Sequence, residues 1–394
     1  MKILADESIS FVEEAFAEMG NVVAVDGRAI TARALADAEC LLVRAVTKVD
    51  EALLADSSVR FVATATGGTD HVDLDYLASH GIGFAFAPGS NARSVAEYVA
   101  AALLLYARRF DSALEGKSIG VIGVGHVGSR VVEIARALGM RPIPNDPPLQ
   151  EQTGAPIYRP LDEALQADFV TLHTPLTRGG PHATFHLADR SFFRKTKKGI
   201  VLINTARGSV VDPAALTDAL AAGAVRAAIL DVWEHEPRVD PDLASRACLA
   251  TPHIAGYSLD GRVKGTEMIH RAACEFFGLT PRWSPRGVLP PPAQAQLRCE
   301  CSGAPDESVL LDIVSQVYDP SSDDARFREI LGLADDCRRA DDCRRADDDR
   351  VAAFNYLRRD YPPRREFRFY SVRGGDLNTK VRIKLAALGF RESQ

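Results

Sequence analysis

The stretch Gly116–Asp146, GKSIGVIGVGHVGSRVVEIARALGMRPIPND, decides how this chain is read. It opens with a short apolar run, Ser118 to Ile122, which predicts a strand. Gly123, Gly125 and Gly128 follow at G-x-G-x-x-G spacing, and Val127, Val131, Ile134 and Leu138 then recur at helical spacing. The three glycines differ in what they do. Gly123 turns the chain out of the strand, Gly125 leaves room for a pyrophosphate, and Gly128 lets the helix pack on the strand. The free N–H groups of the helix start then face the phosphates. Asp146, eighteen residues beyond Gly128, falls where a second strand ends, placed to accept hydrogen bonds from a ribose diol. A carboxylate there repels a 2′-phosphate, which favours NAD over NADP. The strand before, the helix after and the acid at this distance separate the segment from a tight turn in an arbitrary α/β protein. Pro142 and Pro144 disagree with an interior strand, because each removes a donor on the same edge. The second strand is therefore expected to be short or poorly paired.

Working outward, 394 residues suffice for two or three domains. A hydrophobic content of 46% and a charged content of 25% are those of an ordinary globular protein. The net charge of −6 argues against nucleic acid as a partner. MKILADESIS lacks the pattern of a signal peptide, and the longest apolar run, Val99–Leu105, is too short to cross a bilayer. No membrane partner and a cytoplasmic location are expected. The seven cysteines are scattered without a C-x-x-C pair, so reduced thiols are the simplest reading.

Residues 1–93 read as a small α/β unit, with strands predicted at MKILAD, Cys40–Val46, Arg60–Thr66 and Phe84–Ala87 and a helix at Glu13–Met19. A long helix is predicted over Ser94–Arg109. After the glycine motif, strand and helix signals alternate at Phe169–His173, Phe185–Phe193, Ile200–Asn204, Pro213–Ala222 and Ala227–Val232. That alternation predicts a parallel sheet covered on both faces, with ligands beyond the carboxyl ends of its strands. A helix over Asp260–Phe277 is placed to return the chain to the first unit. Prolines at 285 and 290–292 mark a linker into a third region, with a helix near Ser308–Val317 and strands at Glu366–Val372 and Lys380–Ile383. Its six-residue repeat, ADDCRRADDCRRADDDR at Ala334–Arg350, reads as a self-paired surface helix or flexible insertion. Six residues turn a helix by about 600°, so Cys337 and Cys343 would not share a face.

The chemistry lies at the ends of the later strands. TLHTPLT carries His173 and Thr174, INTARGSVVD carries Arg207, LDVWEHEP carries Asp231, Glu234 and Glu236, and ATPHIAGYS carries His253. Oxidation of a 2-hydroxy acid needs a base for the hydroxyl proton, and histidine titrates near working pH. A carboxylate beside it fixes its tautomer, and an arginine can grip the substrate carboxylate with two parallel hydrogen bonds. Arg207, Glu236 and His253 supply these three types. Taken singly, each has a bland alternative as a structural histidine, a surface cation or a turn residue. On successive loops of one nucleotide-binding sheet they favour chemistry. His182 and His186, four apart, could share a helix face as a metal pair, but no third ligand accompanies them, and no metal is expected. His71 in G-T-D-H is placed either to touch substrate or to order its loop.

HTPLT, INTARGSVVD, LDVWEHEP and TPHIAG resemble the signature segments of the D-isomer-specific 2-hydroxyacid dehydrogenases over about residues 40–280. The resemblance implies catalytic roles for Arg207 on the substrate carboxyl, Glu236 on the histidine and His253 as acid/base. It implies a cofactor site for NAD made by Gly123, Gly125, His126, Val127, Gly128, Asp146, Thr174, Thr205, Ala206, Arg207, Asp231 and Gly256. MKILADESI, LLVRAVTKV, GTDHVDLDYL, PGSNARSVAEYV, HIAGYSLDGRVKGT, YDPSSDDARFR and YPPRREF resemble one branch of that family along nearly the whole chain. Members of that branch oxidise 4-phospho-D-erythronate to (3R)-3-hydroxy-2-oxo-4-phosphooxybutanoate with NAD, in the synthesis of pyridoxine 5′-phosphate (vitamin B6).

The implied fold is α/β: two doubly wound parallel-sheet domains, one of them a Rossmann domain, plus a small α+β domain at the C-terminus. The implied boundaries are 1–93 with 258–285 for substrate, 94–257 for NAD, and 286–394 for homodimerisation. Substrate contacts are implied at Ala45, Thr66 and Tyr257. The branch carries serine where this chain has Ala45, so a hydroxyl contact is missing, at a cost of about 0.5–1.5 kcal/mol. Arg44 and Arg93 are candidates for the substrate phosphate. Two other readings compete: a related dehydrogenase, for example one for 3-phosphoglycerate, and a non-enzymatic NAD(H)-sensing corepressor with a protein partner.

Overall fold

Two parallel sheets carry the chain. The structure, a computed structural model, describes residues 1–299, 304–333, 347–374 and 377–392. Cys301, Cys337, Cys343 and the repeat through Ala346 lie outside the described residues, and Asp347–Arg350 opens the helix Asp347–Arg359. The chain forms two compact units, Met1–Arg93 with Tyr257–Pro291, and Ser94–Gly256 with Pro292–Gln394.

In the first unit, β1 (Lys2–Asp6), β2 (Asn21–Val25), β3 (Cys40–Val43), β4 (Phe61–Thr64) and β5 (Gly83–Phe86) pair in the order β2-β1-β3-β4-β5, all parallel. Alternate residues feed two cores. Ile3, Ala5, Cys40, Leu42, Phe61 and Ala63 pack with Ile269 and Ala273 of the helix Leu259–Phe276, so the late helix does return to this unit. Leu4, Leu41, Val43 and Val62 pack on the other face with Leu35, Leu54 and Leu77. Burial on both faces makes the sheet doubly wound. The sequence reading passes over β2, whose half-buried NVVAV lies at the sheet edge.

The second unit contains β6 (Ser118–Ile122), β7 (Arg141–Asn145), β8 (Phe169–Leu172), β9 (Ile200–Asn204), β10 (Val225–Leu230) and β11 (Leu249–Ala250). They pair in the order β11-β10-β9-β8-β6-β7, all parallel. The chain reverses direction across the sheet at β6, so β6 is the switch point where ligands of such sheets bind. β7 corrects the expectation of a short, poorly paired strand. It pairs with β6 over all five of its residues, from Ser118↔Arg141 to Ile122↔Asn145. β7 is the edge strand, and residues 141, 143 and 145 face β6. Arg141 N donates to Lys117 O at 2.8 Å and Asn145 O accepts from Gly123 N at 2.8 Å. Pro142 and Pro144 face outward, where no donor is required. The Pro144 carbonyl accepts from Arg159 N at 2.7 Å.

The third region packs with the second unit: Phe327, Leu331 and Phe354 are buried in the same core as Phe192, Leu202 and Trp233. It holds a small parallel sheet of β12 (Gln296–Arg298), β13 (Ser371–Arg373) and β14 (Arg391–Glu392). The strand expected at Lys380–Ile383 is instead part of the helix Thr379–Leu388. Asn378 caps that helix by accepting from Val381 N, and Gly389 ends it in the left-handed region, so local caps override the alternating KVRIK pattern. Phe367–Phe369 is a single 3₁₀ turn rather than strand. Cys40, Cys248 and Cys274 are free, but Cys299 is disulfide-bonded, which corrects the expectation of reduced thiols throughout. Among the described residues no helix is long and apolar enough to cross a membrane.

Candidate active site

The surroundings of the three motif glycines are unlike one another. Gly123 has φ +84°, and a Cβ there would lie 2.8 Å from the His173 backbone. A Cβ on Gly128 would lie 1.9 Å from Gly123 O, so only glycine allows the helix His126–Ala137 to start against the turn. A Cβ on Gly125 would meet nothing within 4 Å. Gly125 is the N-cap of that helix, and no side chain caps it. The first N–H groups of the helix, those of His126 and Val127 included, therefore lie beside open space, the arrangement that receives an anionic ligand.

A cavity of about 480 Å³ adjoins this loop, lined in part by Ile122, Gly123, Asp146, Pro147, Thr174 and Pro175. The Thr174 hydroxyl is buried without a hydrogen-bond partner, an orphan that a ligand hydroxyl or phosphate oxygen would satisfy. Asp146 lies at the end of β7. Its Oδ2 accepts from Val124 N at 2.7 Å and its Oδ1 from Leu149 N at 3.0 Å. The carboxylate thus ties the glycine loop to the next helix, and each oxygen keeps a lone pair for a ribose hydroxyl. The cavity, the uncapped helix and the orphan hydroxyl fit a dinucleotide.

Two histidines end strands of this sheet, and their surroundings separate them. His173 bonds the Thr171 hydroxyl at 2.8 Å through Nε2 and the Thr205 hydroxyl at 3.2 Å through Nδ1. Burial lowers it to about 3, so it stays neutral and serves as scaffold. His253 instead places Nδ1 2.7 Å from Glu236 Oε2. A carboxylate only accepts, so Nδ1 carries a proton, and in the neutral ring Nε2 keeps a lone pair. Burial alone would raise the Glu236 carboxyl, but the charge and hydrogen bond of His253 hold it below the ordinary value. Glu236 Oε1 also accepts from Trp233 N at 2.7 Å, which fixes the rotamer of the acid.

The His253 loop is held from below. Asp231, buried after β10, accepts from Thr251 Oγ1 at 2.7 Å, Ile254 N at 2.8 Å and Ala255 N at 3.0 Å. Tyr98 bonds the Thr251 hydroxyl at 2.7 Å, and Trp233 Nε1 donates to Thr251 O at 2.9 Å. Arg364 donates to Ala255 O at 2.7 Å and stacks on Tyr318. These bonds maintain His253 at φ +57°, a backbone region that L-residues seldom adopt. Asp231 acts here as a bracket for the loop that ends at Gly256.

Arg207 follows β9. Asn204 positions its backbone: Nδ2 donates to Arg207 O at 3.0 Å and Oδ1 accepts from Ala206 N at 3.1 Å. The next residue, Gly208, lies so close to Trp233 that a Cβ would fall 1.9 Å from the Trp233 carbonyl carbon. The Arg207 loop and the Trp233–Glu236 loop therefore abut. Glu234 points elsewhere, to His186 Nε2 at 3.0 Å, while His182 pairs with Glu151 at 2.9 Å. His182 and His186 lie in a turn-rich loop rather than on a helix, each with its own glutamate. Among the described residues no three metal-ligating groups gather.

The implied substrate residues belong to the first unit. Ala45 is exposed in the turn after β3. Thr66 bonds Thr64 Oγ1 at 2.8 Å and Gly68 O at 3.0 Å, and His71 bonds Thr64 Oγ1 at 3.0 Å, which orders the loop after β4. Tyr257 precedes the helix Leu259–Phe276 and lies beside Arg44 and Arg262. Sequence reasoning missed Asn204, Tyr98, Thr251 and Arg364. All four lie inside quoted motifs, but their partners are visible only in space.

Residues 93–255 match the family described as D-isomer specific 2-hydroxyacid dehydrogenase, NAD binding domain. Residues 288–389 match a Domain of unknown function (DUF3410). An erythronate-4-phosphate dehydrogenase from Edwardsiella ictaluri is 43% identical over 391 residues, covering 99% of both chains. One from Salinibacter ruber is 45% identical over 384 residues, covering 95% of this chain and 94% of its own. The chain belongs to the erythronate-4-phosphate dehydrogenase family. As a member of that family it is an NAD-dependent oxidoreductase of the 2-hydroxyacid dehydrogenase type. The solved D-lactate dehydrogenase from Aquifex aeolicus, complexed with NAD and lactic acid, is 27% identical with a TM-score of 0.59. It covers 71% of this chain and 96% of its own. The glycine loop and the cavity beside Asp146 described above thus belong to the NAD-binding part of an erythronate-4-phosphate dehydrogenase family member.

Proposed function

We propose that this protein oxidises the C2 hydroxyl of 4-phospho-D-erythronate to give (3R)-3-hydroxy-2-oxo-4-phosphooxybutanoate. The observation that carries the reading is the His253–Glu236 pair at 2.7 Å, on loops at the strand ends of the nucleotide-binding sheet. Nε2 of His253 takes the hydroxyl proton as the C2–H bond breaks. Glu236, held ionised, balances the imidazolium that forms. NAD, when bound, accepts the hydride. Arg207 pairs with the C1 carboxylate and steadies the oxygen that becomes the carbonyl. Gly123, Gly125, His126, Val127, Gly128, Asp146, Thr174, Thr205, Ala206, Arg207, Asp231 and Gly256 are the proposed cofactor residues. Thr66 and Tyr257 bind substrate, and Ala45 occupies the third substrate position without a hydroxyl.

The domain roles follow the same reading: 1–93 with 258–285 for substrate, 94–257 for NAD, and 286–394 for a homodimer interface. The protein works in the cytoplasm, on a small phosphorylated hydroxy acid, in the synthesis of pyridoxine 5′-phosphate. Initial rates of NAD reduction across sugar acids test this. The rate with 4-phospho-D-erythronate is expected to exceed those with 3-phosphoglycerate and D-lactate. A higher kcat/KM for 3-phosphoglycerate would overturn the substrate, and tight NADH binding without any turnover would overturn the enzyme.

A further inference from the structure

At the carboxyl end of the first unit's sheet, two guanidinium groups converge on one carbonyl oxygen. Arg44 follows β3, Ser8 follows β1, and Arg262 lies in the first turn of the helix Leu259–Phe276. Arg262 Nη2 donates to Ser8 O at 2.9 Å, and Arg44 Nη1 reaches the same oxygen at 3.5 Å. The Tyr257 ring centroid is 5.4 Å from the Arg44 guanidinium carbon and 5.9 Å from that of Arg262. Arg262 Nε is buried with no hydrogen-bond partner. Asp6 lies near: its Oδ1 accepts from Ser8 N at 2.8 Å and Ser8 Oγ at 2.6 Å, and its Oδ2 is buried without a hydrogen-bond partner. Among the described residues no carboxylate forms an ion pair with either arginine.

Two like charges held together in a partly dry site repel, and the charge of Asp6 offsets this only in part, without an ion pair to either arginine. Burial, and then the Arg44 charge, lower the Arg262 guanidinium to about 10. Tying the helix to the Ser8 loop would account for Arg262 Nη2. It does not account for the buried, unbonded Nε or for a second arginine aimed at one carbonyl. An anion between the two accounts for both. The start of an eighteen-residue helix beside them adds positive potential. A carboxylate is satisfied by one bidentate arginine, whereas a phosphate monoester offers three oxygens and two charges to two guanidinium groups.

We propose that Arg44 and Arg262, beside the Tyr257 ring, bind the terminal phosphate of the substrate. The inference rests on the proposed function and adds to it the residues that select a phosphorylated acid. Ala45, next to Arg44, then leaves the charged half of this recognition intact.

The test uses the full-length protein and compares kcat/KM for 4-phospho-D-erythronate with that for D-erythronate. In Arg44→Gln and in Arg262→Gln the ratio of the two is expected to fall about 10- to 100-fold, the size of a lost hydrogen bond to a charged group. Arg262→Lys, which keeps the charge but not the fork, should restore part of the ratio. Inorganic phosphate should inhibit the wild type competitively against the phosphorylated substrate, and less strongly in the Gln variants. An unchanged ratio, with both substrates losing rate equally, would mean a merely structural pair and would overturn the proposal. Arg44 is half-exposed, so Arg44→Gln should fold even if Arg262→Gln does not. If the wild type turns over neither acid, the functional reading fails by itself. Calorimetric titration of inorganic phosphate into wild type and Arg44→Gln then decides the site, and absent or equal binding overturns it.

Discussion

In the proposed mechanism, Glu236 is the residue on which the proton chemistry turns. Its carboxyl is held below the ordinary range, so it remains ionised wherever the enzyme works, and only far more acidic conditions would neutralise it. An acid limb of activity near neutral pH therefore does not come from Glu236. Glu236→Gln removes the counter-charge of the imidazolium. It should lower kcat by about 100-fold or more. Steady-state kinetics of the variant check this; a near-normal kcat would separate Glu236 from the chemistry. The residue types at this site were legible in sequence, because histidine, acid and arginine each follow a strand signal. The sequence reading chose His253 over His173 through its motif, and the physical grounds for that choice, burial in one case and a glutamate neighbour in the other, are visible only in space. The support of the His253 loop was hidden for the same reason. Tyr98 and Thr251 are 153 positions apart in sequence.

The elements show where periodicity suffices and where it fails. β9, Ile200–Asn204, and the long helices near Ala92–Arg109 and Leu259–Phe276 were readable from their apolar residues. Lys380–Ile383 was misread because a short alternating pattern is weaker than an Asn cap and a terminal glycine. β7 was misjudged because sequence does not say which strand is the edge, and the tolerance for Pro142 and Pro144 depends on that alone. This makes a direct prediction. Pro144→Ala should change stability by less than about 1 kcal/mol, since the restored N–H faces outward. Ile143→Pro should cost about 3 kcal/mol, since it removes a donor aimed at β6 and inserts a ring into the ladder. Urea unfolding of the two variants measures both, and similar losses would contradict the assigned facing of β7.

On the scale of the whole molecule, glycine motif and strand alternation were enough to read the parallel sheet of the second unit, and the resemblance implied the sheet of the first. The packing of the third region with the second unit was not legible, because Phe327 and Phe354 carry no signal of which core they enter. Stability against acid gives this scale its own test. Asp168 accepts from Ser118 N and Ser118 Oγ, both at 2.8 Å, and pairs with Lys197, which locks the starts of β6 and β8 together. Burial would raise this carboxyl, but Lys197 and Ser118 hold it down at about 2. An unfolded aspartate titrates near about 3.9, so the contribution is complete above that pH and is lost as pH falls toward about 2. Asp168→Asn should lower the melting temperature at neutral pH and flatten its fall between about pH 4 and pH 2; a parallel fall in both proteins would contradict this. The central claim, that His253 is the base of an NAD-linked oxidation, is tested most directly by His253→Ala assayed with 4-phospho-D-erythronate and titrated with NADH. The account predicts turnover reduced by about 100- to 10,000-fold with NADH binding retained. Near-normal turnover in that variant would contradict it.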